Sequence, residues 1–253
     1  MMDKFPVYDS NDETVEDLGL KGLQLIQKKT GFRFGTDAVL LSWFTRLKDR
    51  ESVLDLCTGS GILPVLFAGK SRSSRITGVE LQEPYAEMAA RSVALNDLEE
   101  RVRIFPGDVR DLDFLRSLGH FDVVTANPPY KRQGTGLLNP ADDKMIARHE
   151  ITLDLEGLIR GASLVLGHKG RFCLVHRPER LLDIFDLMRK HDLEPKRIRM
   201  VAPVGGKAPN MVLVEGLKFQ KPYLKWEPQL EIYQADGSRS REVEEIYNEH
   251  RDR

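Results

Sequence analysis

Val53-Leu-Asp-Leu-Cys-Thr-Gly-Ser-Gly-Ile-Leu-Pro-Val-Leu-Phe-Ala68 decides the fold. It opens with a short apolar run, Val53 to Leu56, of the kind that forms a strand buried on both faces of a parallel sheet. Asp55 lies near the end of that run, and Thr58-Gly-Ser-Gly61 supplies a tight turn. Leu63, Leu66 and Phe67 then recur at helical spacing. Pro64 is tolerated in the first turn, where a missing N–H costs no intrahelical bond. Strand, glycine turn and helix in this order bring backbone N–H groups close to a ligand.

Three known glycine-turn motifs fail by position. A dinucleotide fingerprint needs glycine where Pro64 stands, and so does a phosphate loop ending at Gly69-Lys70-Ser71. A nucleophile elbow centred on Ser60 needs glycines where Thr58 and Ile62 stand. What remains is Asp-x-x-x-Gly-x-Gly. A carboxylate at the end of the first strand suits a cationic ligand better than a pyrophosphate. S-adenosylmethionine, with a sulfonium and an ammonium, is such a ligand. The other reading is a tight strand-to-helix connection with no ligand.

The chain has 253 residues and a formal net charge of −1 at pH 7. That balance provides no global basic field for nucleic acid, though it allows a local patch. No apolar run of about 18 residues marks a membrane span. The N-terminus lacks the basic-then-apolar order of a secretory signal. The two cysteines, Cys57 and Cys173, lie in apolar segments and read as small buried hydrophobes of a reducing cytoplasm. His149-Glu150 has no second histidine four residues on, so no metal site is expected.

Residues 1–17 read as an acidic leader, and 18–253 as one domain. Within that domain lie an N-terminal segment (18–48), a core (52–220) and a C-terminal extension (221–253). Leu23 to Lys28 reads as a short extended piece. Thr36 or Asp37 can cap a helix running to about Leu47. Strands are expected at 75–81, 102–105, 121–126, 171–176, 198–202 and 211–216, with helices at 83–98, 153–166, 180–191 and 241–247. Alternation of this kind predicts an α/β, doubly wound, Rossmann-like sheet of seven strands with helices on both faces. Glu80 ends the second strand about twenty residues after the turn, where a carboxylate can accept from ribose hydroxyls. Asp108 ends the third strand and is either an acceptor for an adenine amine or a turn aspartate.

The fourth strand runs directly into Asn127-Pro-Pro-Tyr130. Consecutive prolines remove two donors and hold the backbone extended. The Asn127 amide oxygen and the Pro128 carbonyl can then face one point, matching the two N–H groups of an exocyclic amine. Accepting both protons favours a tetrahedral nitrogen whose lone pair faces a methyl donor. Tyr130 offers a ring face on which a base can stack. A proline-rich turn with a buried Asn is the plainer reading. A polar loop, 131–153, follows. Lys131 and Arg132 beside the motif, with Lys196, Arg197, Arg199 and Lys207 farther along, are candidate phosphate contacts; a solvated charged face is the alternative.

The combination resembles a class I S-adenosylmethionine-dependent methyltransferase of the small-domain type. More narrowly, it resembles bacterial enzymes that methylate N6 of an adenosine just 3′ of the anticodon in valine tRNA. The narrow resemblance rests on Asp17-Leu-Gly, Gln27, Phe32-Arg-Phe-Gly-Thr-Asp-Ala-Val-Leu-Leu41, the glycine turn, Asn127-Pro-Pro-Tyr130 and Ala147-Arg-His-Glu150, over roughly residues 15 to 220. It implies that Asn127, Pro128, Pro129 and Tyr130 form the catalytic motif, with Asn127 also beside the donor. It further implies that Phe34, Gly35, Thr36 and Asp37 close over the donor. Asp55, Gly59 and Gly61 would hold its methionine part, Glu80 and Leu81 its ribose side, and Asp108 and Val109 its adenine. S-adenosylmethionine would leave as S-adenosylhomocysteine, tRNA would be the partner, and the setting would be cytoplasmic, with no membrane and no obligate protein partner. Two other functions use similar residues: N5-methylation of a protein glutamine, and non-catalytic RNA binding on the same fold. The first usually needs a helical domain before the core, and only some fifty residues precede Val53.

Overall fold

The computed structural model describes residues 8–30, 33–73, 75–129 and 155–248. Tyr130, Lys131, Arg132 and the loop 131–153 lie outside the described residues, as do residues 1–7 of the segment 1–17 read as an acidic leader. The central sheet is built on Val53–Leu56, here β3, whose four residues are all buried. It pairs in parallel with β4 (Ile76–Glu80) on one side and β6 (Phe121–Ala126) on the other. Parallel strands need both faces covered, and these runs are apolar on both. β5 (Val102–Pro106) extends the sheet beyond β4, and β7 (Leu166–His176) extends it beyond β6. β9 (Met211–Lys218) then inserts antiparallel between β7 and β8 (Leu193–Val204).

The seven expected strands are present, and an eighth joins them. β10 (Lys225–Tyr233), from the C-terminal extension, pairs in parallel with β8 and forms one edge, so the order is β10-β8-β9-β7-β6-β3-β4-β5. Its pattern hid it, because only Leu230 and Ile232 are buried. Pro228 falls inside the register shift between Glu227 and Leu230, a position where an edge strand tolerates the missing N–H.

Alternate strand residues feed two cores. Val53, Val123 and Cys173 pack with α1 (Thr36–Thr45), α2 (Ile62–Lys70), α3 (Glu83–Leu95) and α7 (Arg241–Asn248). Leu54, Val124 and Phe172 face α4 (Leu112–Ser117), α5 (Leu155–Val165) and α6 (Leu181–Lys190). Helices therefore cover both faces. Thr36 and Asp37 do not cap α1: Gly35 holds the cap position with no side-chain bond, and both residues lie in the first turn.

Outside the main sheet, β1 (Glu13–Asp17) and β2 (Gln24–Lys28) form an antiparallel hairpin. The segment read as a leader thus ends in a paired strand. Its buried Glu13 accepts two 2.8 Å bonds from Arg91 of α3, while Ser92 and Asn96 accept from the N–H groups of Ile26 and Gln24. Leu20 and Leu23 pack so closely on α2 that a Cβ at Gly69 would lie 2.5 Å from Leu20. Among the described residues, no helix is long and apolar enough to cross a membrane.

Candidate active site

The turn after β3 is set by backbone conformations that favour glycine. Cys57 leaves the strand at φ +63°, followed by Gly59 at +55° and Gly61 at +85°. Cys57 is therefore a half-buried turn residue, not a strand residue, whereas Cys173 is buried in β7. Gly61 also lets α2 approach α3, since a Cβ there would lie 3.0 Å from that of Ala89. Glu80 holds the turn from the next strand. Its Oε2 accepts from the Gly59 N–H at 2.9 Å and its Oε1 from the Gln82 N–H at 3.0 Å. The carboxylate expected to meet ribose thus first fixes the loop, leaving lone pairs on both oxygens for a ligand.

Asp55 sits beneath the same turn with 1% exposure. Its two oxygens accept from the Thr58 and Thr125 hydroxyls, each at 2.7 Å. Desolvation pushes its carboxyl up to about 7, against the pull of those two hydroxyls; the nearby Glu80 charge pushes the same way. A buried carboxylate in this state is poised to gain from a cation brought close by a ligand. Gly78 faces Asp55 across the β3–β4 pair, and a Cβ there would lie 2.9 Å from the Thr58 hydroxyl.

The remaining donor-side residues border this turn. Leu81 presents an apolar side chain, 47% exposed, at the end of β4, and Val109 is buried beyond β5. Asp108 accepts from the Arg110 backbone N–H at 2.9 Å and is gripped by its guanidinium, with contacts of 2.9, 3.0 and 2.5 Å. The Arg110 hydrogen bond holds the Asp108 carboxyl below the usual carboxylate range. An adenine amine would have to share Asp108 with Arg110. On the other side, the Gln27 side-chain oxygen accepts from the Phe34 N–H at 3.0 Å and so positions the segment Phe34, Gly35, Thr36. Asp37 is buried, with its Oδ1 taking the Ala38 N–H at 3.0 Å.

β6 delivers the proline motif to this place. Leu56 pairs with Ala126, so Cys57 and Asn127 leave adjacent strands side by side. Asn127 and Pro129 are half-buried, and Pro128 is buried. β7 flanks the motif on its other side and ends in buried His176, whose imidazole is held down to about 4 mainly by desolvation.

Two of the proposed phosphate contacts are corrected. Arg197 is 5% exposed; its Nη2 donates to Glu215 at 2.9 Å and to the Phe44 carbonyl at 2.5 Å, and its guanidinium lies 3.8 Å over the Phe44 ring. Arg199 is equally buried, with both Nη atoms 2.7 Å from Glu242 and its Nε on the Pro228 carbonyl. A buried cation forked onto a carboxylate cannot reach a phosphate without breaking that fork. Lys196 is half-buried and donates to the Lys221 carbonyl, whereas Lys207 is exposed.

Sequence reasoning missed the residues that hold the expected ones in place. Thr125 was detectable as a polar residue inside an apolar strand, and Thr58 as the hydroxyl of the turn. The clamp of Glu80 on Gly59 had no local signal, since it spans two strands.

The chain belongs to the methyltransferase small domain family, whose model matches residues 29–191. It is 31% identical over 201 residues to a Porphyromonas gingivalis protein named tRNA1(Val) (adenine(37)-N6)-methyltransferase, covering 77% of this chain and 78% of that protein. A Tolumonas auensis protein of the same name is 29% identical over 231 residues, covering 88% and 91%. A crystal structure described as a predicted O-methyltransferase from Agrobacterium tumefaciens superposes with a TM-score of 0.68 at 23% identity. It covers 85% of this chain and 96% of that one, a likeness of fold.

Proposed function

We propose that this chain transfers the methyl group of S-adenosylmethionine to N6 of adenosine 37 in a tRNA, with valine tRNA as the substrate, in the cytoplasm. The reading matches the names of its relatives. The observation that carries it is the emergence of Asn127-Pro128 beside a turn backed by buried Asp55 and Glu80. The residues around the turn have features that fit the donor. The Ser60 hydroxyl is buried with no hydrogen-bond partner among the described residues, Glu80 has free lone pairs, and Leu81 offers an apolar face.

S-adenosylmethionine, when bound, supplies an electrophilic methyl on its sulfonium. Asp55, anionic when ionised, favours the donor's positive charge. Phe34 to Asp37, tethered through Gln27, cover the donor. The Asn127 amide oxygen and the Pro128 carbonyl accept hydrogen bonds from the two N6–H groups, turning the lone pair toward the methyl. These acceptors stabilise the positive charge that develops on N6, so no strong base is needed. One proton leaves to solvent after transfer. Tyr130 stacks on the turned-out base, and Lys131 and Arg132 meet phosphates beside it.

The test is incubation with labelled donor and unmodified valine tRNA, followed by nuclease mapping. N6-methyladenosine at position 37 is expected. Label appearing on protein glutamine amides and not on tRNA would overturn the reading.

A further inference from the structure

We propose that the tRNA backbone is gripped by Arg177, Arg180 and Lys207, a set of cations beyond β7 and β8, in place of Arg197 and Arg199. The proposal rests on the tRNA-methylation reading and names the surface that reading needs.

Strand register puts these residues at the mouth of the site. Ala126, the last residue of β6, pairs with Leu174, and β7 continues through Val175 and His176 beyond that pair. Arg177 therefore follows β7 at the same end of the sheet from which the motif that must receive the adenine departs. Pro178–Arg180 forms a single 3-10 turn that carries Arg180 outward, with its side chain 48% exposed; that of Arg177 is 20% exposed. On the next strands His176 pairs with Val212, and Met211 with Val201. The β8–β9 connection, which holds exposed Lys207, thus opens at the same end of the sheet.

Both arginines have acidic neighbours. Arg180 lies 2.6 Å from Asp183, and Arg177 lies 3.8 Å from Glu179. The Arg180 pair is exposed on both sides, worth about 0–1 kcal/mol and easily exchanged for a phosphate, and the Arg177 contact is a long one to an exposed carboxylate. The guanidinium groups of Arg197 and Arg199 are buried, and their forks are not exchangeable in this way. Phosphate contact needs no global positive charge, only a few cations at phosphate spacing, which fits a chain of net charge −1.

The experiment is tRNA affinity across a salt series for wild type, the double variant Arg177→Ala/Arg180→Ala, and Asp183→Asn, with donor affinity measured for each. The double variant should bind roughly tenfold more weakly and lose about 1.4–1.8 from the slope of log K against log salt, about 0.7–0.9 for each of two lost phosphate contacts. Its donor affinity should be unchanged. Asp183→Asn frees Arg180 and should tighten binding about two- to fivefold at low salt. A double variant with the wild-type slope, or weaker binding at an unchanged slope, would overturn the assignment while leaving tRNA methylation standing. A wild-type protein with no affinity for tRNA would remove both.

Discussion

On the parallel half of the sheet, Asp55 and Glu80 lie buried against hydroxyls and backbone N–H groups. On the antiparallel half, Arg197 and Arg199 lie equally deep, but each is forked onto a carboxylate, Glu215 or Glu242. Arg171 and Glu51 extend that second network at 2.5 Å, and Cys173 contacts Glu215 within it. The contrast separates two uses of buried charge. A buried charge paired with its opposite must break that pair to meet a ligand. A carboxylate held only by neutral donors stays open to a ligand's cation, and at Asp55 burial raises the proton affinity.

Removing one member of the closed network should have the largest effect on stability. Arg197→Ala leaves Glu215 buried without its fork and should cost about 3–5 kcal/mol, read by denaturant unfolding. The salt dependence of tRNA binding should be unmoved; a reduced slope in a folded variant would return Arg197 to the RNA surface and break the comparison. On the open half, change should appear in chemistry. Asn127→Ala should lower single-turnover methyl transfer by about 10²–10³, with donor affinity within a few fold. If donor affinity fell in parallel, Asn127 would be a binding group.

Glu80→Ala sharpens the same comparison. It removes the clamp on Gly59 along with an acceptor for the donor, so donor affinity should fall by about 1.5–3 kcal/mol, measured by calorimetry. Unchanged affinity in a folded protein would remove Glu80 from the donor site.

The smallest expected effects are in pH dependence, and two of the shifted carboxyls, Asp55 and Glu13, run in opposite directions. Asp55, raised to about 7, keeps a proton in the folded state that the unfolded chain has released above about 4. Its contribution to stability therefore falls as pH rises from about 4 to 7. Glu13, lowered to about 2 chiefly by its hydrogen bonds from Arg91, contributes stability above about 4.5 that is lost as pH falls toward 2. Thermal melts of wild type and Asp55→Asn between pH 4 and 8 should differ in slope, with the variant flatter. Saturating donor should flatten the wild type as well, because its cations favour ionised Asp55.

Much of this is legible in the sequence. The glycine turn, Glu80 at the end of β4, Asn127-Pro-Pro at the end of β6 and the α/β order follow from local pattern, because each depends on residues close in sequence. β10 was not legible: an edge strand with two buried residues and a proline at its bulge lacks the alternation of a half-buried strand. Arg177 and Arg180 also went unnoticed, being embedded in a short turn and not in a basic run.

The sequence by itself determined which elements form and which residue types stand at their ends, since backbone conformation and hydrophobic period are written locally. Only the tertiary structure decided what each charge is for. Lys196, Arg197 and Arg199 form a basic cluster in the chain, yet a strand sends alternate side chains to opposite faces and its neighbours decide what they meet. Glu215 and Glu242, eighteen and forty-three residues away in sequence, turn two of those cations into core. Asp55 has the same kind of side chain as those partners but meets hydroxyls, and so its charge remains available to a ligand.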